Sequence, residues 1–332
     1  MKQINYKSVE ATVSHEEHLQ DAGFSGRFNG DRIFKGITLG FAFSVILILL
    51  LMVSGMAHES LPALKKFGWK FVTGSDWDAV QGNFGALPYI WGSIVSSILA
   101  LSIATPLSVG TALFITEIAP VKLGNAIASL VELLAAIPSV IYGLWGVLVM
   151  APWLQQTVEP FLVEHFGFLP FFRGAPYGVG MLAAVFIIMI MIIPIVTSIT
   201  KEVLLAVPLS QKEAAIALGA TKWEMIRMAV LPYGRSGILG AVILGLGRAI
   251  GETMAVTMVI GNTPQISLSL LAPAYTMPSV IANEFAEASS KLHSSALMEI
   301  GLILLALTLI INIAARFLIW GVTRQQSSGG PT

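Results

Sequence analysis

Six apolar stretches, each long enough to cross a lipid bilayer, constrain the fold of this chain more than any other feature. A bilayer core of about 30 Å requires about 20 apolar residues in a helix. The six stretches lie at residues 32–57, 89–115, 126–150, 178–200, 236–261 and 297–321. The pattern predicts an all-α integral membrane protein with six transmembrane helices, because helices satisfy their own backbone polar groups in lipid.

The composition agrees with a surface that faces lipid. The chain of 332 residues is 55% hydrophobic and 11% charged, whereas soluble domains carry about 25% charged residues. Its formal net charge of zero gives no reason to expect binding to nucleic acid. Cysteine is absent, which excludes disulfides, thiolate metal sites and cysteine nucleophiles.

The positions of lysine and arginine predict the orientation. With the N-terminus in the cytoplasm, the inside segments hold thirteen of these residues and the outside segments hold five. This asymmetry fits the positive-inside rule and predicts that both termini are cytoplasmic. A signal peptide ending at the small residues Gly55 and Ala57 is the alternative, although the first apolar stretch is longer than a signal core of about 7 to 15 residues.

The spans divide the chain into five segments. We expect a cytoplasmic tail at residues 1–31, the first span at 32–57, an outside loop at 58–88, a core of five helices at 89–324 and a disordered tail at 325–332. The core contains a long cytoplasmic loop at 201–235. No repeat of 20 to 50 residues is visible.

No motif in the chain supplies energy or covalent chemistry. A phosphate-binding loop ending in Gly-Lys-Ser/Thr is missing. The glycines of Gly245-Leu-Gly247-Arg-Ala-Ile-Gly251 lie in a span, and Gly247 and Gly251 predict close helix packing instead. The histidines have no metal-ligand spacing and no serine has a matching base. We therefore expect no catalytic residues, no metal and no cofactor on this chain. If the protein is a transporter, the energy for transport must then come from another protein.

The cytoplasmic loop carries signals for two short helices. Ser210 as N-cap, Glu213 as its reciprocal cap and Gly219 as the stop predict a helix at 210–218. A second helix is predicted from Thr221, with Glu224 in its first turn, to Pro232. The two helices would form a compact projection below the membrane.

This loop resembles the EAA motif of permease subunits of ATP-binding-cassette importers. Glu213, Ala214, Ala215 and Gly219 match the motif, as do Leu231 and Pro232, whereas Ala229 stands where the family usually has isoleucine. The resemblance implies that the first short helix docks in a groove of an ATPase subunit and transmits its movement.

The resemblance extends to the phosphate-specific branch of the family, and to its PstC-type subunit more than its PstA-type partner. It rests on segments 110–120, 132–143 and 247–255. It implies a type I importer permease with a MetI-like core, to which the first span is added. It also implies a function in ATP-driven import of inorganic phosphate through the cell inner membrane. The implied partners are a PstA-like sister permease, a dimer of ATPase subunits holding ATP and Mg, and a periplasmic or lipid-anchored phosphate-binding protein.

Two charges fall inside the fifth span. Arg248 lies about 18 Å of helix rise from the start of the span, and Glu252 follows one turn later. A charge at that depth costs about 2.5–3.5 kcal/mol on insertion scales and often marks a substrate path. We place Arg248, Glu252 and Thr253 on this path, with Ser139 and Tyr142 beside the helix break expected at Pro138. A structural ion pair is the alternative. Glu132, early in the third span, could extend to the membrane surface or pair with Lys122 or with a partner chain.

The same pair suggests a basis for anion selectivity. The arginine fork suits phosphate oxygens, and a carboxylate can accept the hydroxyl of a protonated phosphate. Sulfate lacks that proton at neutral pH, so Glu252 would repel it. An unchanged phosphate-to-sulfate preference in Glu252→Gln would contradict this hypothesis.

Three other functions stay open at the level of sequence. A permease for molybdate or sulfate would be expected to lack the combination of Arg248 and Glu252. An ion-coupled secondary transporter would need internal repeats and buried titratable groups. A membrane enzyme would need a nucleophile, a base or a metal cluster, and the sequence offers none of these.

Overall fold

The computed structural model describes residues 28–327. The predicted N-terminal tail up to residue 27 and the last residues of the C-terminal tail lie outside the described residues. Two compact units divide the chain, one ending at Gly55 and the other beginning at Met56. Helix α1, Phe28–Phe67, contributes to both units.

The described side chains of α1 from residue 30 to Gly55 are almost all exposed and predominantly apolar, as expected of a helix surrounded by lipid. The helix continues ten residues past the predicted end of the first span at 57. Polar residues such as His58 and Glu59 end the apolar stretch without ending the helix, so the helix is longer than the predicted span and the bounds of the span stay a prediction.

An aromatic cluster orders the predicted outside loop. The loop contains helix α2, Lys70–Thr73, and two short antiparallel strands, β1 at Trp77–Asp78 and β2 at Asn83–Phe84. Trp77 lies opposite Phe84, with ring centroids 4.7 Å apart, and 4.9 Å from the ring of Tyr89. Such edge-to-face contacts add to the stability gained by burial.

Helices α3, Leu87–Leu113, and α8, Met181–Leu205, form the centre of the second unit. The buried face of α3 consists mostly of serine and alanine, and small residues allow helix backbones to approach closely in membranes. A π-helical turn, Phe114–Ile118, extends α3 toward the next helix.

The third span is broken. Helix α4, Val121–Ala135, ends before Pro138, and the helical segment 139–166 continues at an angle of 91°. This segment consists of α5 at Ser139–Trp145, a π turn at Gly146–Met150, α6 at Ala151–Trp153, a π turn at Leu154–Val158 and α7 at Glu159–Phe166. The break at Pro138 confirms the prediction. The helical structure around it extends from Val121 to Phe166, beyond the predicted bounds 126–150.

The fifth span also differs from its prediction. After α9, Leu209–Ala217, a continuous helix consists of α10 at Lys222–Met225, a π turn at Ile226–Val230 and α11 at Leu231–Ile250. The predicted end at Pro232 was wrong. This proline lies just after the π turn Ile226–Val230, a local bulge in the helix, and the helix continues through it to Ile250. The helix instead breaks at Gly251, before α12 at Met254–Val259.

The rest of the chain completes the bundle. Pro170–Phe172 forms a short 3-10 turn, α13 spans Met277–Glu284 in the last outside loop, and α14 spans Lys291–Ser327. Among the described residues, five helices are long and apolar enough to cross a membrane, or six if the bent pair around Pro138 counts as one span. This agrees with the predicted count of six.

Candidate functional site

The charged pair of the fifth span lies where α11 ends. The Nη2 atom of Arg248 is 3.5 Å from the Oε2 atom of Glu252, and their side chains are 47% and 5% exposed. Arg248 lies in the last turn of α11, and Glu252 follows the break at Gly251. A buried carboxylate is thus paired with a half-exposed guanidinium group.

The backbone on both sides of the break holds Glu252 in place. Its Oε1 atom accepts a hydrogen bond from the amide of Ala255 at 3.3 Å, and its own amide donates to the carbonyl of Ala249 at 3.4 Å. The hydroxyl of Thr253 donates to the carbonyl of Gly251 at 3.2 Å. Glu252 therefore connects α11 to α12. The sequence had suggested instead that it lies within one continuous span, one turn after Arg248.

The broken third span lies against the same region. Helix α5 packs on α12, and a Cβ atom at Gly143 would lie 2.6 Å from Met258 Sδ and 3.0 Å from Ala255 Cα. Only glycine permits this approach, which brings the two broken helices together near the charged pair.

The other predicted path residues have more local roles in the described chain. Tyr142 is buried, and its hydroxyl donates to the carbonyl of Leu134 at 2.8 Å across the break at Pro138. Ser139 and Thr253 are half-buried. Within residues 28–327, Ser139 and Tyr142 form no hydrogen bond with Arg248 or Glu252.

Two further expectations about this region are corrected. Glu132 pairs with Lys201 at 3.0 Å, not with Lys122. The close packing predicted at Gly247 occurs at Gly245, where a Cβ atom would lie 2.7 Å from Val196, whereas nothing in the described chain lies within 4 Å of a Cβ at Gly247. Both results depend on distant helices, which local spacing does not reveal.

The two short helices of the predicted cytoplasmic loop form, but one cap differs. Helix α9 begins after Pro208, whose extended backbone starts the helix, so Ser210 lies inside the first turn and makes no capping bond. Gly219 follows the helix end with a φ of +85°, as predicted for its stop. The second helix starts after Thr221 with Glu224 in its first turn, as predicted, and these two residues also form a reciprocal cap that the sequence analysis had not assigned, with Thr221 N donating to Glu224 Oε2 at 2.8 Å.

Most of α9 is available to a partner. Glu213 and Ala214 are exposed, and Ala215 is half-buried. Leu231 and Pro232 are half-buried at the start of α11. A groove of about 520 Å³ lies between the first helix and the next turn, lined by Ala214, Ala215, Leu218, Gly219, Ala220, Glu224, Met228 and Ala229. The structure thus presents residues of the EAA segment around one open groove.

Sequence reasoning missed the main attachment of this helix. Lys212 Nζ lies 2.6 Å from Glu117 Oε1, and the two side chains are 17% and 6% exposed. Glu117 belongs to the π turn at the end of the second span, 95 residues away. No local spacing signals a pair so far apart in sequence.

A second polar site lies among the predicted outside loops. A cavity of about 580 Å³ is lined by residues that include Trp77, Tyr275, Glu284 and His293. Glu284 Oε2 accepts a hydrogen bond from Trp77 Nε1 at 2.9 Å and lies 3.0 Å from His293 Nε2. Burial raises the pKa of Tyr275 to about 12, so its phenol stays neutral in the physiological range. This network ties the first and last of the predicted outside loops together.

Known proteins with similar sequences are membrane transport subunits. The family described as "Binding-protein-dependent transport system inner membrane component" matches residues 104–323. The chain is 47% identical to the phosphate transport system permease protein PstC of Mesorhizobium japonicum, over 87% of this chain and 90% of that protein. It is 43% identical to PstC of Pasteurella multocida, over 89% and 93% of the two chains.

A solved structure shares the fold. A chain of a bacterial alginate ABC transporter, crystallised in complex with an alginate pentasaccharide-bound periplasmic protein, aligns with a TM-score of 0.58. The alignment covers 87% of this chain and 96% of that chain at 17% sequence identity. The similarity extends to the architecture alone.

Proposed function

Because the chain belongs to the binding-protein-dependent transport system inner membrane components, and within them to the PstC phosphate permeases, we propose a path and a coupling mechanism for phosphate. The protein is an integral membrane permease subunit of an ATP-binding-cassette phosphate importer, and it is not an enzyme. The proposal concerns the residues that contact phosphate, the residues that receive the work of ATP hydrolysis, and the partners.

Arg248 is the proposed phosphate-contacting residue. Its guanidinium group is 47% exposed, although its partner Glu252 is buried, and only its Nη2 atom contacts that partner. An arginine has five N–H donors in a fork that matches phosphate oxygens, so most of its donors stay available. This half-exposed cation beside a helix break carries the proposal.

Glu252 and Thr253 shape the path by fixing the break at Gly251. Broken backbone is tolerated at membrane depth only when it is buried in protein or lines a cavity. Ser139 and Tyr142 support the facing break at Pro138, where the Tyr142 hydroxyl holds the carbonyl of Leu134. The path thus lies between two broken helices rather than along one continuous span.

The EAA segment is the proposed docking site for the ATPase. Ala214, Ala215 and Gly219 line the open groove of α9, and Glu213 is exposed on the same helix. Leu231 and Pro232 begin α11, which leads to Arg248. We assign ATP and Mg to a dimer of ATPase subunits. A PstA-like sister permease and an external phosphate-binding protein complete the complex.

Transport by the reconstituted complex tests the proposal. Native chain, sister permease, ATPase and binding protein in vesicles should take up labelled phosphate and hydrolyse ATP in response to it. Arg248→Ala should abolish both responses, whereas Arg248→Lys should retain part of them because it keeps the charge without the fork. Equal uptake of sulfate or molybdate by the native complex would overturn the assignment of phosphate, and undiminished uptake by Arg248→Ala would overturn its role.

Thiol labelling tests the orientation with both termini in the cytoplasm. The chain has no cysteine, so a single introduced cysteine is the only target on it. Val80 and Leu218 are 97% and 90% exposed. In intact cells, a membrane-impermeant reagent should label Val80→Cys but not Leu218→Cys. The reverse result would contradict the proposed orientation.

A further inference from the structure

The first helix of the coupling loop is attached to the rest of the chain at very few points. Along α9, Leu209–Ala217, only Lys212 and Ala215 are withdrawn from solvent. Ala215 packs on a cluster that includes Ala112 at the end of the second span, together with Leu204, Met225 and Ile226. Lys212 adds a polar contact with the π turn that follows that span.

The contact made by Lys212 differs from an ordinary surface ion pair. The Nζ–Oε1 distance to Glu117 is 2.6 Å, and Glu117 is 6% exposed. Exposed ion pairs are screened by water and contribute little, whereas removing one partner of a buried pair leaves an uncompensated charge. The pair therefore constrains the position of α9 relative to the π turn Phe114–Ile118.

That turn leads directly to the broken helices of the proposed path. Two residues, Ala119 and Pro120, separate it from α4, and α4 ends at the break before α5. Helix α5 packs on α12, whose Ala255 amide holds Glu252. A continuous series of packed elements thus runs from Lys212 to the charged pair.

We propose that Lys212 and Glu117 are positioning residues through which movement of α9 is passed to the second span and the path. This inference rests on the proposed function, because it assumes that α9 receives the movement of the ATPase. It adds a contact outside the EAA motif to the coupling apparatus.

Charge substitutions in the assembled transporter test the pair. Lys212→Glu and Glu117→Lys should each lower phosphate uptake per ATP hydrolysed by about tenfold, which is within the range reported for coupling contacts. The double variant with both substitutions should recover most of the ratio. Lys222→Met, which removes an exposed lysine of the same loop, should leave the ratio unchanged.

A reversible crosslink separates coupling from folding. Since the chain has no cysteine, Lys212→Cys with Glu117→Cys introduces the only two thiols on it. A bifunctional thiosulfonate that bridges them should raise the uptake per ATP, and reductant should lower it again in the same preparation. A thiosulfonate that caps each thiol separately is the control and should not raise the ratio.

Two results would overturn the inference. One is a fall of uptake and ATP hydrolysis in equal proportion with no recovery in the charge-swapped variant, since a purely structural pair would act in this way. The other is an uptake per ATP that is the same with and without the crosslink. Either result leaves phosphate uptake by the native complex intact, so the proposed function is judged separately.

Discussion

Arg248 either contacts phosphate or only neutralises Glu252 in a structural ion pair. Removing Arg248 alone and together with a change at Glu252 distinguishes these two roles. Two opposite charges about 4 Å apart attract by about 1 kcal/mol in water and about 4 kcal/mol at an effective dielectric constant of 20. Removing one partner of a buried pair costs about 3–5 kcal/mol, because the other charge stays buried without compensation. Arg248 is 47% exposed, so we expect Arg248→Ala to lower the free energy of unfolding by the lower end of this range, about 3 kcal/mol.

The double variant Arg248→Ala/Glu252→Gln removes that uncompensated charge. The side-chain amide introduced by Glu252→Gln can still accept the hydrogen bond from Ala255, so the break at Gly251 should keep its capping contact. We expect the double variant to regain most of the lost thermal stability. Because the unengaged donors of Arg248 are absent in both variants, neither should take up phosphate.

The assay is a double-mutant cycle with two readouts on the same purified complexes. Thermal unfolding in detergent measures stability, and uptake of labelled phosphate and sulfate into vesicles measures transport and preference. Glu252→Gln alone should keep measurable uptake and lose discrimination against sulfate. Native-like phosphate uptake by the double variant would refute the argument, since Arg248 would then serve only to neutralise Glu252.

Three further predictions concern stability and coupling. Gly219→Ala should lower the free energy of unfolding by about 1–2 kcal/mol, because the φ of +85° is unfavourable for alanine although the space is open. It should also weaken ATPase binding in a pull-down assay. The control Gly240→Ala, also in open space but within α11, should be neutral or stabilising in thermal unfolding. Gly92→Ala should lower the free energy of unfolding by about 1–3 kcal/mol or more, since its Cβ would overlap the carbonyl oxygen of Tyr275. The control Gly110→Ala in the same helix meets nothing within 4 Å and should leave the melting temperature unchanged or raised. Glu284→Leu should lower thermal stability by about 1–3 kcal/mol because it leaves Trp77 Nε1 without its acceptor, and a melting temperature equal to that of native protein would contradict this reading of the outer network.

Local features of the sequence were predicted well because the residues that decide them are neighbours. Pro138 lacks an N–H and breaks the third span, Gly219 takes the left-handed backbone that ends α9, and the second short helix starts after Thr221 with Glu224 in its first turn. The exception is Ser210. The sequence predicted Ser210 as the N-cap, but Pro208 occupies the N-cap position two residues earlier.

Features that depend on distant helices could not be predicted in the same way. Lys201 and Glu132 are 69 residues apart, and Lys212 and Glu117 are 95 residues apart. An apolar stretch also gives no sign of a break at Gly251, since hydropathy measures burial in lipid and not backbone direction. The candidate path residues were selected from the sequence, but the arrangement of two facing breaks came from the structure.

The two long-range ion pairs lie near opposite ends of α4, and their difference in burial has a mechanical consequence. Glu117 precedes the helix and is 6% exposed, whereas Glu132 lies in its last turn and is 58% exposed. A helix of 15 residues is about 22 Å long and moves as a rigid element. Water can replace the exposed partner at little cost but not the buried one. If α9 passes movement to α4 as proposed, we therefore expect the ion pair next to the break at Pro138 to yield before the pair of Lys212 and Glu117.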